Sequence, residues 1–350
     1  MIAVFDDKLI DRYIRDFGLE IGNIKTNRLN CSVRVTPAMP KFISPMLLLI
    51  FFIVGCTPEK TQSTQFASLT DARHSFKTKL LPQKSDVQPV EQAPSSIFKT
   101  IKYPAASGEL AAYVSPNPNT GKKHPAIIWI TGGDCNSIGD SWSPASPKND
   151  QTAAAFRKAG IVMMFPSLRG GNDNPGVKEG FLGEVDDVLA AVKYLEKQEY
   201  VDTTRIYLGG HSTGGTMALL IAELSDRFRA VFSFGPVDDV SDYGSDSGFL
   251  PFDISNRQEV EIRSPGYWLS SVRSPVWVFE GTDRGNISSL RKMAQAPSNP
   301  QIHFIEIENR DHFATLAPMN EIIAEKILKD TGTVSNLTFS KDEVSRSLMK

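Results

Sequence analysis

Short apolar runs rich in β-branched and aromatic residues alternate with helical patterns from residue 97 onward, and this alternation limits the folds open to the chain. Ile97–Tyr103 and Leu110–Val114 are joined through Ala105-Ala-Ser-Gly108. His124–Ile130, Ile161–Phe165, Arg205–Leu208, Ala230–Phe234, Val276–Phe279 and Ile302–Ile307 continue the series. Between them, Thr152–Lys158, Glu184–Gln198, Gly214–Leu224, Ser288–Ala294 and Pro318–Lys329 carry helical spacing. Strands with no polar alternation are buried on both faces. When helices separate them, the sheet is mostly parallel and covered on both sides. The expectation is an α/β domain over residues 96–332, built as a three-layer sandwich around a mostly parallel central sheet. Residues 333–350 are polar and read as a frayed tail.

Gly210-His211-Ser212-Thr213-Gly214 follows one of these strands and opens a helical pattern. In that setting a G-x-S-x-G segment makes a sharp strand-to-helix turn with the serine exposed at its apex. The glycines let strand and helix approach closely. The helix N-terminus favours negative charge developing on a reacting carbonyl. Ser212 is therefore the expected nucleophile, and it needs a base. Of the five histidines, His74 precedes the domain, His124 begins a strand, His211 sits inside the turn and His303 alternates with apolar residues. His312 lies in the loop Glu308-Asn-Arg-Asp-His-Phe313, at the carboxyl end of the last strand, and is the expected base.

The acid that orients the histidine is expected between serine and histidine in chain order. Asp283, in Glu280-Gly-Thr-Asp-Arg-Gly285, is the first choice, with Asp238 and Asp239 one strand earlier as competitors. Two backbone donors should form the oxyanion hole: the N–H of Thr213, and one from Thr131-Gly-Gly-Asp134, with Gly133 preferred to Gly132. Arg169 is expected to pair with Asp187 or a neighbouring acid. The aromatics of residues 241–272 (Tyr243, Phe249, Phe252, Tyr267, Trp268) are candidates to line a substrate pocket or to pack within a cap. This chemistry calls for no cofactor and no metal.

Ile128–Gly133, Pro166-Ser-Leu-Arg-Gly170, Gly210–Gly214, Phe279-Glu-Gly-Thr-Asp283 and Asp311-His-Phe313 together resemble the catalytic domain of the prolyl oligopeptidase family, within the α/β-hydrolase superfamily. The resemblance runs from about residue 97 to 330. It implies a serine hydrolase acting through an acyl-enzyme on a small ester or peptide, with Ser212, Asp283 and His312 as triad. Thr131 stands where the family usually has histidine, and the family's N-terminal propeller has no counterpart here. The dienelactone-hydrolase-like and acyl-esterase branches share the same core without a propeller. The alternative is a catalytically inactive lipoprotein that uses the cleft for binding.

Ahead of the domain, Met46–Gly55 is strongly apolar. As a helix it would extend about 15 Å, half the thickness of a bilayer core, which suits a signal peptide rather than a span. Its end, Ile53-Val-Gly-Cys56, resembles the lipobox of bacterial lipoproteins. That resemblance implies cleavage before Cys56, lipidation of its sulfur and anchorage in the cell envelope. With Thr57 rather than Asp next, it implies the outer membrane, facing the periplasm. Met39 reads as the natural start, so residues 39–55 are the signal peptide and 1–38 an upstream artefact. Residues 56–95, rich in Thr, Ser, Gln and Pro, read as a flexible tether. Cys135 would then be an unpaired, buried thiol. A formal net charge of −2 and no dense Lys/Arg segment argue against a nucleic-acid partner.

Overall fold

A computed structural model describes residues 66–244, 249–296 and 299–348, so the signal peptide, the upstream residues 1–38 and the lipidation expected at Cys56 lie outside the described residues. Eight strands form one sheet in the order β1-β2-β4-β3-β5-β6-β7-β8. They are β1 (Lys99–Ala105), β2 (Gly108–Val114), β3 (His124–Ile130), β4 (Val162–Pro166), β5 (Val201–His211), β6 (Val231–Phe234), β7 (Val276–Gly281) and β8 (Ile302–Ile307). β2 pairs antiparallel with β1 and with β4, and every other pairing is parallel. The apolar runs become strands because both sheet faces are covered. All residues of β4, β6 and β7 are buried, whereas the edge strand β1 exposes much of its length.

The helices are α1 (Leu69–Ser75), α2 (Ala154–Lys158), α3 (Gly183–Leu195), α4 (Thr213–Leu224), α5 (Arg257–Glu261), α6 (Ile287–Ala294), α7 (Leu316–Lys329) and α8 (Lys341–Leu348). Residues of α1, α3, α4 and α6 share one hydrophobic cluster, and those of α2, α7 and α8 share another. These clusters are the two outer layers of the sandwich. Arg169 holds the turn after β4, as expected. Its Nε and Nη2 donate to the two oxygens of Asp187, each at 2.8 Å, and Nη1 reaches Glu179 at 2.6 Å.

Two stretches differ from expectation. The described part of the tether, residues 66–95, lies along the domain. α1 buries Leu69 and Ala72, Leu81 N–H donates to Pro251 O at 2.8 Å, and Lys79 N–H and Thr78 Oγ1 donate to Glu259 at 2.7 and 2.9 Å. Its polarity hides a few apolar anchors at helical spacing and backbone groups that find fixed partners. The tail is also docked. Leu337 and Val344 are buried, and the Phe339 ring packs against Trp277, Phe279 and Phe232.

Asp330 latches that tail. It is fully buried, accepts from Arg229 Nε and Nη2 at 2.7 and 2.6 Å and from Tyr207 Oη at 2.7 Å, and receives Asn336 N–H at 3.0 Å. Burial opposes its ionisation, but the bonds from Arg229, Tyr207 and Asn336 outweigh burial and hold its pKa at about 2. A carboxyl depressed in the folded state adds stability that is complete above its unfolded pKa near 4 and lost as pH falls through 2. Asp330→Asn should therefore destabilise the domain by about 3 kcal/mol at pH 7, because it strands a buried arginine. In urea titrations the gap between variant and wild type should close between pH 4 and pH 2.

Candidate active site

β5 runs through the middle of the sheet and delivers Ser212 at its carboxyl end, immediately before α4. Ser212 has φ 54° and ψ −115°, a conformation L-residues seldom adopt, and its N–H donates to Phe234 O at 2.7 Å. A side chain at Gly210 would strike the backbone of Gly214, and one at Gly214 would strike Ile130 O. The motif's glycines are thus fixed by the packing of β5 and α4 on each other and on β3.

His312 lies in the loop after β8, where the sequence placed it. Its Nδ1 is 2.8 Å from Glu280 Oε2. Glu280 belongs to β7, is 1% exposed, and its other oxygen accepts the Gly281 N–H at 2.9 Å. The carboxylate beside the histidine is therefore Glu280 and not Asp283. Asp283 N–H donates to Arg310 O at 3.0 Å, and its exposed carboxylate meets Thr282 Oγ1 at 3.3 Å. The physical reason is reach. Glu280 leaves the strand while still inside the sheet edge, and its extra methylene carries the carboxylate to the imidazole. By residue 283 the chain has already turned outward along the 307–311 turn. The competitors are occupied elsewhere: Asp238 pairs with Lys292 at 2.5 Å, and Asp239 caps residues 240–243 and accepts from Tyr267 Oη at 3.1 Å. No side chain fits at Gly235, where a Cβ would meet both Glu280 and His312. A charged residue ending a wholly apolar strand was the signal that could have found Glu280.

Thr213 opens α4, so its N–H has no acceptor one turn back and stays available at the elbow. Thr213 Oγ1 donates to Gly133 O at 2.9 Å and ties the turn after β3 to the elbow. Gly132 N–H donates to Gln151 Oε1 at 3.1 Å and is spent inside the protein, while the next residue, Gly133, has φ 77°. Next along this turn, Asn136 Nδ2 donates to Arg169 O at 2.8 Å and to buried Glu184 at 3.1 Å. Burial, with Glu184 and Asp134 nearby, pushes the Cys135 thiol up to about 12, so it stays protonated and inert. His211, the residue before Ser212, is fully buried. Burial first and the neighbouring His312 second lower its pKa to about 3, which keeps it neutral. Among the described residues no cluster of three or more His, Cys, Asp or Glu side chains is arranged to hold a metal ion.

The expected pocket aromatics divide. Phe252 and Trp268 are buried in the core, with Arg263 over the Phe252 ring at 4.2 Å. Tyr243 stacks on Phe181 at 5.6 Å, and Phe249 helps line a cavity of about 680 Å³ that Leu81, Cys135 and Phe181 also border.

This strand order, with a strained serine after β5 and a histidine after β8, carries the fold assignment. The chain has the α/β-hydrolase fold and is similar to the prolyl oligopeptidase family. Residues 147–276 match the model of that family, a stretch that contains the elbow and ends before Glu280 and His312. Prolyl oligopeptidase A of Amanita bisporigera is 26% identical over 198 residues, 49% of this chain and 24% of that protein. An uncharacterized peptidase of Bacillus subtilis (strain 168), YtmA, is 26% identical over 161 residues, 42% of this chain and 62% of that protein. The matches thus cover less than two thirds of either relative. Among solved structures, the acylaminoacyl peptidase of Pyrococcus horikoshii superposes with a TM-score of 0.56 at 17% identity, over 71% of this chain and 44% of that one.

In the α/β-hydrolase site, Glu280→Gln should slow modification of Ser212 by a fluorophosphonate on the order of 10⁴-fold. An amide there must turn its NH₂ either toward His312 Nδ1, which selects the wrong imidazole tautomer, or against the Gly281 N–H, where two donors face each other and the seat of the side chain is lost. Asp283→Asn should stay within about threefold of wild type, as expected of an exposed site. Second-order labelling rates measured side by side decide between the two acids.

Proposed function

We propose that the protein is a serine hydrolase that cleaves an ester or a peptide/amide acyl bond through an acyl-enzyme, with Ser212 as nucleophile, His312 as general base and Glu280 as the orienting acid. The observation that carries the reading is the strained Ser212 at the end of β5, bonded to Phe234 O, together with an imidazole that packs against the adjoining Gly235 and whose Nδ1 is held by a buried carboxylate. In the first step His312 Nε2 accepts the Ser212 proton as Oγ attacks the substrate carbonyl. Glu280 stabilises the imidazolium without itself taking the proton. The Thr213 and Gly133 N–H groups receive the charge that develops on the carbonyl oxygen. The imidazolium then returns its proton to the leaving alcohol or amine, and water repeats the sequence on the acyl-enzyme.

The family likeness favours a peptide or amide, and the cavity along the turn after β3, where Phe181, Phe249 and Leu250 stand with Lys84, Asp134 and Lys178, suits a substrate that carries both apolar and polar groups. A panel of p-nitrophenyl esters and aminoacyl-nitroanilides separates esterase from peptidase. Ser212→Ala should abolish fluorophosphonate labelling and all turnover while leaving thermal unfolding unchanged. Turnover retained by a clean preparation of that variant would sink the assignment. An intact elbow that never labels would instead favour a binding role for the cleft.

The envelope reading is also a proposal. It rests on Met46–Gly55 ending in Ile53-Val-Gly-Cys56. Two or more acyl chains at Cys56 would give stable anchorage, whereas one alone is marginal. Cys56→Ser should release the protein from membranes or stall its processing, as read by fractionation and intact mass. A variant that still loses residues 1–55 and still sediments with membranes would rule out Cys56 as the lipidation site.

A further inference from the structure

Gln151 sits just before α2, far in sequence from every residue of the triad, yet it touches two parts of the site. Its Oε1 accepts the Gly132 N–H at 3.1 Å, and its Nε2 is 2.7 Å from His211 Nδ1. The other nitrogen of His211, Nε2, is 3.0 Å from the carbonyl oxygen of His312. The protons in this chain have one consistent placement. A backbone N–H can only donate, so Gly132 fixes Oε1 of the amide on its own side and turns the NH₂ toward His211. His211 Nδ1 must then accept, which puts the ring's single proton on Nε2, where the acceptor is a carbonyl. Gln151 Nε2 has a second acceptor, Asn149 Oδ1 at 3.0 Å, which holds the amide in this orientation. The chain of bonds begins in the oxyanion turn after β3, passes through the residue before the nucleophile and ends in the loop after β8.

We propose that Gln151 and His211 form a positioning bridge that sets the oxyanion turn and the catalytic histidine loop at fixed places relative to each other. The inference rests on Ser212 and His312 being nucleophile and base, and neither bridge residue touches the reacting atoms. Three further contacts support it. The imidazole of His211 lies 4.4 Å from that of His312, centroid to centroid, and 5.2 Å from the Phe313 ring. A side chain on Gly132 would run into His211 Nδ1 and the Cβ of Ser212, so the turn is seated directly on the bridge. Thr315 Oγ1 also reaches His312 O, at 3.3 Å, so the carbonyl that His211 grips is held from two sides. With Gly132 N–H drawn into the bridge, the next N–H, that of Gly133, is the one presented to substrate.

The test compares wild type, Gln151→Ala and Gln151→Glu. Gln151 is only half-buried in a surface loop, so both variants are expected to unfold at nearly the wild-type temperature. Losing the bridge should lower kcat and the fluorophosphonate labelling rate together by about 100-fold, with KM little changed, because geometry around the transition state is lost rather than substrate affinity. Gln151→Glu keeps an acceptor for Gly132 but cannot donate to His211. His211 must then take a second proton. Nitrogen NMR of the ring should show a neutral Nε2–H tautomer for wild-type His211 and an imidazolium in Gln151→Glu. Rates within twofold of wild type for both variants, or a wild-type His211 ring that carries its proton on Nδ1, would overturn the bridge. A wild type that does not label at Ser212 overturns the hydrolase reading and the bridge's catalytic role together. That failure is told apart from failure of the bridge alone by the wild-type rate itself.

Discussion

The whole site depends on a single residue being held in a conformation it would not choose. Ser212 at φ 54° costs of order 1–3 kcal/mol, and the cost is borne because the surroundings leave no alternative. β5 is paired on both sides, by β3 and by β6, up to the residues that precede the turn. α4 starts at the next residue and is buried along nearly its full length. The serine cannot relax without sliding either a central strand or a buried helix. Its neighbours inherit their places from this. Phe234 O receives the serine N–H, Gly235 follows without room for a side chain, and in that vacated space Glu280 meets His312.

How much of this was legible in the sequence follows from what each feature depends on. The sandwich was, because burial on both faces removes polar alternation from a strand, and that shows in one dimension. The strained turn at Ser212 and the place of His312 after the last strand were also legible, the one from two glycines at fixed offsets, the other from standing just past the last apolar run. The carboxylate that meets His312 was not. Glu280 and Asp283 are three residues apart, and the choice turns on where the chain leaves the sheet and on the length of one methylene. Gln151 carried no signal, since its contacts come from loops that lie 19 and 60 residues away along the chain.

The stretches before and after the domain show the opposite error. Thr, Ser, Gln and Pro before the first strand suggested a chain that need not pack. Yet Leu69 and Ala72 at a spacing of three suffice to seat one helical turn against the core. At the other end Leu337, Phe339 and Val344 are too sparse to form a recognisable stripe, but a buried ion pair at Arg229 and Asp330 fixes the chain that leads into them. In both places a small number of strong contacts outweighs a polar average.

Arg263 gives the first of these stretches a practical meaning. Its guanidinium is wholly buried and is satisfied by Glu259 at 2.6 Å, Glu179 O at 2.9 Å and Thr78 Oγ1 at 2.7 Å, while the same Glu259 also receives the Lys79 backbone. Residues 78 and 79 therefore complete the solvation of a buried charge pair at α5. A recombinant fragment begun at residue 96, or a protease cut between residues 79 and 96, would not merely shorten a leader. It would uncover apolar surface on α4 and take bonding partners from an interior ion pair, so the folding unit has to be drawn to include the chain from before α1.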